Sequence, residues 1–238
     1  MNIYAIGDLH LSNAQPKAMD IFGDHWKNHF EKISADWNAR VKEDDIVLIP
    51  GDISWAMNIA DAVCDLDAIC DLPGKKIMIK GNHDYWWGSM SKINAVLYNE
   101  THILQNNSLV VGDYVFCGTR GWSLPGDNGF SENDKKIFER EKLRLQLSLD
   151  TTKKYQDKKK IALMHFPPVY ENMRNTDFAE ILERGGVSEV VFGHLHGEVL
   201  KNLHLTNLKI GSVNYNLVSA DYLDFKLRKY AKHNLKKR

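Results

Sequence analysis

The sequence predicts an α/β fold in which two packed β-sheets are flanked by helices, and three observations carry that expectation. Short apolar runs alternate with longer amphipathic stretches, the pattern of a layered α/β domain. In the first half those runs are separated by helical patterns, as parallel crossovers require, whereas from about residue 103 they are separated by polar or glycine turns, as in hairpins. Four runs also end in glycine followed by a residue able to bind a hard metal: Ile6-Gly7-Asp8, Pro50-Gly51-Asp52, Lys80-Gly81-Asn82 and Phe192-Gly193-His194. Buried strands deliver ligands at their carboxyl ends, and four such ends that converge make a site.

Taken in order, Ile3 to Ile6, Ile46 to Ile49 and Ile77 to Ile79 read as buried strands. Between the first two, Phe22, Trp26, Phe30, Ile33 and Trp37 recur every three or four residues, which predicts a helix from about 16 to 39 with this aromatic stripe in the core. A second helix is expected from Asn58 to Cys70, stopped before Pro73-Gly74, and a third from near Ser89. Ile103 to Leu104, Leu109 to Val111 and Tyr114 to Cys117 are short strands of the hairpin type. Ser131 with Asp134 forms a capping-box pattern ahead of the helix formers of Ile137 to Leu149. Ile161 to Met164 is a strand leading to His165. A helix opening at Asn175-Thr176-Asp177 and stopping at Gly185-Gly186 precedes the strand Val190 to Phe192.

The 238 residues are expected to form one domain, with 43% hydrophobic and 26% charged residues, ordinary values that supply a well-buried core. Lys and Arg balance Asp and Glu, so no global field draws the chain to nucleic acid or anionic lipid, and anion selectivity must be local. Cys64, Cys70 and Cys117 form neither an even disulfide set nor a CxxC pair, which fits a reducing compartment. The first residues lack a basic n-region and their apolar run is cut by Gly7-Asp8, so a cytoplasmic protein without a membrane span is expected. Lys226 to Arg238 carries seven Lys or Arg and no acid, and reads as a basic, solvated C-terminal tail.

The donor types define the chemistry. Asp8 and His10 alternate at strand spacing, so a bend at Gly7 lets both face one ion, and His194 and His196 repeat that spacing from another strand end. Two such pairs point to two ions, with Asp52 a lone carboxylate whose two oxygens can serve both, and Asn82 a neutral amide donor. Two divalent ions bring four positive charges, of which Asp8, Asp52 and a bridging hydroxide remove three. The neutral donors His10, Asn82, His165, His194 and His196 leave the rest to attract a phosphoryl group. Two ions can acidify a shared water and clamp the entering and leaving oxygens of an in-line displacement, which is phosphoester hydrolysis.

Asp8-Leu9-His10, Gly51-Asp52, Gly81-Asn82-His83-Asp84, His165 and Gly193-His194-Leu195-His196 together resemble, in order, the five signature segments of the calcineurin-like metallophosphoesterase superfamily. The resemblance spans residues 8 to 196 and implies a four-layer α/β/β/α sandwich with two mixed sheets. It implies one metal held by Asp8, His10, Asp52 and His196 and another by Asp52, Asn82, His165 and His194, with Asp52 bridging. Mn²⁺, Fe and Zn²⁺ all fit this donor set. His83 is then a catalytic residue beside the leaving group rather than a ligand. Asp84 stands where some members have Glu; it either orients His83 and raises its pKa or caps the turn that follows.

Substrate contacts must come from the loops around these strand ends. Trp55, Trp86, Trp87 and Trp122 adjoin ligand-bearing turns, and Arg120 sits in Gly118-Thr119-Arg120-Gly121-Trp122. Substrate binding is expected from Arg120, through a phosphate oxygen, and from Trp122 and Trp86, through a ring; the alternative is that the tryptophans only pack the loops. His25, His29, His102, His204 and His233 lack comparable neighbours and read as structural or solvent-facing. The expected partner is a small phosphoester. A nuclease acting on polynucleotide would need a basic groove that the balanced charge does not announce, and a non-catalytic scaffold of the same fold would typically lack the ligands present here. No heptad pattern announces an oligomer.

Overall fold

The computed structural model describes residues 1–14, 16–202 and 208–232. The first sheet contains β1 (Asn2–Ala5), β2 (Ile46–Ile49), β3 (Lys75–Met78) and β4 (Thr101–Ile103), all parallel neighbours in that order. Crossovers between them carry α1 (His29–Arg40), α2 (Ile59–Cys70) and α3 (Met90–Asn94). The second sheet is built from β5 (Leu109–Val111), β6 (Tyr114–Thr119), β7 (Lys159–Met164), β8 (Val187–Phe192), β9 (Leu208–Ile210) and β10 (Val213–Leu217), in the order β5-β6-β7-β8-β10-β9. Its crossovers carry α4 (Glu132–Asp150) and α5 (Asp177–Arg184). A last strand, β11 (Arg228–Lys232), pairs antiparallel with β1 at the edge of the first sheet.

Strand alternation explains the layering, because successive side chains point to opposite faces. In β2, Ile46 and Leu48 enter a core shared with Phe116, Ile161, Leu163 and Val191 of the other sheet. Val47 and Ile49 face the opposite way, onto Ile33, Trp37 and Leu66 of α1 and α2. In β7, Ala162 and Met164 pack against Phe138, Leu145 and Phe178 of α4 and α5. Three cores separate four layers, α/β/β/α, with two mixed sheets between helices.

Local chemistry sets the helix starts. Asn58 accepts from the Asp61 N–H, and Thr176 from the Ala179 N–H. Ser131 and Asp134 complete a reciprocal capping box at α4, worth about 1 kcal/mol.

Four expectations change. The stretch 16–39 is not one helix: 3₁₀ turns at Met19–Phe22 and Asp24–Trp26 precede α1. Gly23 (φ 126°) and Asn28 (φ 53°) adopt backbone states that interrupt a right-handed helix; Trp26, Ile33 and Trp37 still reach the core, but Phe22 is exposed and Phe30 only partly buried, so the periodicity reported burial for part of the stripe and not a continuous helix. The strand expected at Ile103 belongs not to a hairpin but to the first sheet, parallel to β3. Only β5–β6 and β9–β10 are antiparallel in the second sheet, whose centre, β6-β7-β8-β10, is parallel. The basic C-terminal segment is not simply a solvated end, since its first half forms β11; residues 233–238, like His204 and His233, lie outside the described residues. Among the described residues no helix is long and apolar enough to cross a membrane.

Ending the chain at Leu227 removes β11 and exposes the backbone edge of β1. We expect the thermal unfolding midpoint to fall by on the order of 5 °C or more. A midpoint equal to that of the full chain would show that β11 contributes nothing to the sheet.

Candidate metal centre

The carboxyl ends of strands from both sheets meet over the inter-sheet core, and the expected donors meet there. Asp8, His10 and Asp52 each present a ligand atom within 4.8 Å of the others, and all three are buried. Beside them, Asn82 Oδ1 lies 2.7 Å from His165 Nε2 and 3.0 Å from His194 Nδ1, and those two nitrogens are 3.3 Å apart. Asp52 Oδ2 faces both groups, 3.8 Å from His10 Nε2 and 3.4 Å from His165 Nε2. The His196 ring centroid lies 5.3 Å from that of His10.

The backbone that delivers these side chains is strained. Asp8 (φ 56°), His10 (φ 48°), Asp52 (φ 51°) and His194 (φ 72°) all occupy the left-handed region, which costs non-glycine residues energy and concentrates at functional sites. The preceding glycines serve largely another purpose, close approach. A Cβ on Gly81 would overlap the Asp52 carboxylate and backbone, and one on Gly193 would lie 2.6 Å from Asp8 Oδ2.

Backbone donors on neighbouring turns hold the carboxylates. The His194 N–H donates to both Asp8 oxygens at 3.0 Å, and the His83 N–H donates to Asp52 Oδ1 at 2.8 Å. Asp52 Oδ1 thus takes a backbone N–H, while Oδ2 has no hydrogen-bond partner and faces both donor groups. His165 Nδ1 lies 3.0 Å from the Pro50 carbonyl, an acceptor only, so Nδ1 carries the proton and Nε2 points at Asn82 and Asp52.

The remaining polar atoms fit a cation. Both ring nitrogens of His10, and Asp52 Oδ2, are buried with no hydrogen-bond partner, a costly state that a cation among them would relieve. Burial drives the His10 pKa down to about 3 despite Asp52, and burial together with His165 brings His194 to about 3, so both rings are neutral and their lone pairs can bind metal. Burial also works to lower His165, but the Asp52 and Asp8 carboxylates prevail and raise it to about 9. The second proton on that ring answers the same negative field that a metal cation would answer. Burial raises Asp8 to about 6, whereas the nearby imidazoles hold Asp52 well below the usual carboxylate range in spite of its burial.

His83 sits at the mouth of the site, half-buried, with a buried Nδ1 that has no partner. Asp84 does not touch it. The Asp84 carboxylate accepts from the backbone of Ile53 (2.8 Å), Ser54 (3.1 Å) and Gly81 (2.7 Å) and from Trp86 Nε1 (3.1 Å), so it locks the turns after β2 and β3 together. Burial lowers the His83 pKa, opposite to the rise that a carboxylate pairing would give.

The expected substrate contacts are also redistributed. Trp86 is buried in the first helix–sheet core, and Trp122 donates to Asp134 and packs on Phe166. Arg120 pairs with Glu141 at 3.4 Å and stacks on Trp122 at 4.4 Å. The aromatic side chains at the donors are instead Trp55, stacked on His10 at 5.0 Å and 4.3 Å from His83, Phe166, 4.0 Å from His194, and Phe22, edge-on to His196 at 5.5 Å. The position of Trp55, three residues after Asp52, was the sequence signal for it.

Other supporting groups were missed. The His29 ring reaches the Leu9 carbonyl (2.9 Å), between Asp8 and His10, so a histidine read as merely structural braces a donor turn. Asp221 accepts from the Gly197 N–H (2.7 Å) and ties down the turn after His196. Neither residue lies in a recognisable motif.

An α/β/β/α sandwich with hard-metal donors at its strand ends points to the metal-dependent phosphohydrolases as a class. More narrowly, the chain belongs to the calcineurin-like phosphoesterase family, whose model matches residues 1–198. It is thus a metal-dependent hydrolase acting on ester bonds. Gene 66 protein of Mycobacterium phage L5 is 27% identical over 137 residues, a match spanning 48% of this chain and 66% of the phage protein. Among solved structures, phosphopantetheinyl hydrolase from Mycobacterium tuberculosis aligns with a TM-score of 0.58 at 13% identity, covering 100% of this chain and 98% of that one. A protein of unknown function from Aquifex aeolicus aligns with a TM-score of 0.50 at 14% identity, covering 96% and 95%. At these identities the structural likeness shows the fold.

The glycine geometry gives a graded test. Gly81→Ala should displace Asp52 and lower bound metal at least several-fold, whereas Gly88→Ala, whose Cβ would meet nothing within 4 Å, should keep the wild-type content. Metal analysis after dialysis measures both; equal metal in the two variants would contradict the close-approach argument.

Proposed function

We propose that the chain is a dinuclear phosphoesterase in which Asp8, His10, Asp52 and His196 would hold one divalent cation and Asp52, Asn82, His165 and His194 a second, with Asp52 serving both. The observation that supports this most directly is the orphaned set of His10 nitrogens and Asp52 Oδ2, buried beside a second cluster of three donors. When bound, such cations lower the pKa of a water and draw charge from the phosphoryl oxygens. Mn²⁺, Fe and Zn²⁺ suit the donors equally.

The chain's own residues do the rest. His83, next to Asn82 and anchored through its N–H to Asp52, donates to the departing oxygen. Its lowered pKa fits a group charged only when a phosphoryl anion arrives to offset burial. Asp84 positions Asn82 and His83 by fixing the Gly81 turn. Trp55 lies beside His83 with the Lys17 ammonium 3.9 Å over its ring, so a ring and a cation stand together next to the leaving-group side, and Phe22 and Met57 are exposed on the neighbouring segments. These features favour a small phosphoester. The likeness to a phosphopantetheinyl hydrolase makes phosphopantetheinyl esters worth including among candidate substrates. Zero formal net charge gives a polynucleotide substrate no general support. The free thiols of Cys64, Cys70 and Cys117 support a cytoplasmic location.

A panel of generic mono- and diesters with added Mn²⁺ should reveal turnover that EDTA abolishes. His83→Ala should keep its metal but lose on the order of 10²–10⁴ in turnover with alkyl leaving groups, and much less with p-nitrophenolate, which departs without a proton. An equal loss with both leaving groups would remove His83 from the role of donor.

A further inference from the structure

A second cavity lies behind the strand ends that carry the donors. Its volume is about 200 Å³, and it is lined by Lys80, Trp87, Thr119, Arg120, Glu141 and Arg144 among others; none of the donors assigned to the metal centre lines it. The two sites share one loop. Lys80 and Trp87 bracket the turn that carries Asn82 and His83.

The charge in this cavity is unbalanced. Glu141 is fully buried and accepts from Thr119 Oγ1 (2.6 Å), Arg144 (2.8 Å) and Arg120 (3.4 Å). One carboxylate thus serves two guanidinium groups, while Lys80 makes no ion pair among those found between described residues. Three cations against one carboxylate leave two positive charges. Arg120 Nε is moreover buried without a hydrogen-bond partner. A cavity whose three cations share one lining carboxylate, and whose buried Arg120 Nε has no partner, is suited to an incoming anion. Two positive charges match one phosphate dianion, and guanidinium forks already oriented by Glu141 suit its oxygens. Half-buried Arg120 is held between Glu141 and the Trp122 ring, so the cavity is preorganised.

We propose that this cavity is an anion-binding site for a phosphoryl dianion, adjacent to the metal centre and built from separate residues. The dianion is either a second phosphate on the substrate or free inorganic phosphate. Titration of the full-length chain with inorganic phosphate, once metal-loaded and once in EDTA, reads the site; in EDTA no cation can hold the anion, so the result is independent of whether the metal centre hydrolyses esters. One phosphate per chain should bind in EDTA. Lys80→Met and Arg144→Met should each weaken it by about tenfold or more, and Lys80→Met, which breaks no ion pair among the described residues, should leave the unfolding midpoint in phosphate-free buffer close to that of wild type. No binding at millimolar phosphate, or unchanged affinity in both variants, would overturn the proposal.

Kinetics of the metal-loaded enzyme separate the sources. If the ligand is a second substrate phosphate, Lys80→Met raises KM for a bisphosphorylated ester, leaves kcat, and spares the monophosphorylated analogue. If the ligand is free phosphate, KM for the two esters responds alike and the titration alone detects the loss.

Discussion

The fold depends on a reciprocal lashing of strand-end turns, in which a side chain on one turn is held by the backbone of another. Asp8 of the first sheet takes the His194 N–H of the second, and His165 of the second sheet donates to the Pro50 carbonyl of the first. Asp52 takes the His83 N–H, and Asp84 takes three backbone N–H groups from two turns. An isolated buried carboxylate would cost several kcal/mol, and these bonds offset part of that cost while fixing each oxygen in place. They act only at very short range, which explains why glycine stands at 81 and 193 and why the residues beside the elbows accept left-handed backbone. Stability of the sheet ends and geometry of the donors are the same interaction seen twice.

Much of this was legible in the sequence, and the parts that were not share a cause. Apolar runs located the main strands because burial on both faces leaves a local signature, and the capping residues Asn58, Ser131 and Thr176 marked helix starts because capping is local chemistry. Strand partners are not local. The parallel centre of the second sheet, the allegiance of β4 to the first, and β11 beside β1 are contacts between residues far apart in the chain. The Trp26–Trp37 spacing was read correctly as core but not as backbone, because Gly23 and Asn28 break the helix without breaking the burial pattern.

The donor residues themselves were readable as types at strand ends, whereas the role of each neighbour required coordinates. Asp84 follows His83 directly in sequence, yet its carboxylate turns away and takes backbone donors instead. Trp86 and Trp122 occupy loops like that of Trp55, but their N–H groups and rings are consumed by packing, and of these three Trp55 alone reaches the histidines. What distinguishes them is which face of the turn each side chain leaves from, and composition carries no such information. The same holds for Arg120, whose partner Glu141 lies 21 residues on, in α4.

The central claim is that Asp52 joins the two donor groups, its Oδ2 facing both while Oδ1 accepts the His83 N–H. Electron paramagnetic resonance of the Mn²⁺-loaded chain, with metal counted on the same sample, tests this most directly. Two Mn²⁺ per chain with an exchange-coupled spectrum is the predicted result. One Mn²⁺ per chain with an uncoupled six-line spectrum would contradict it.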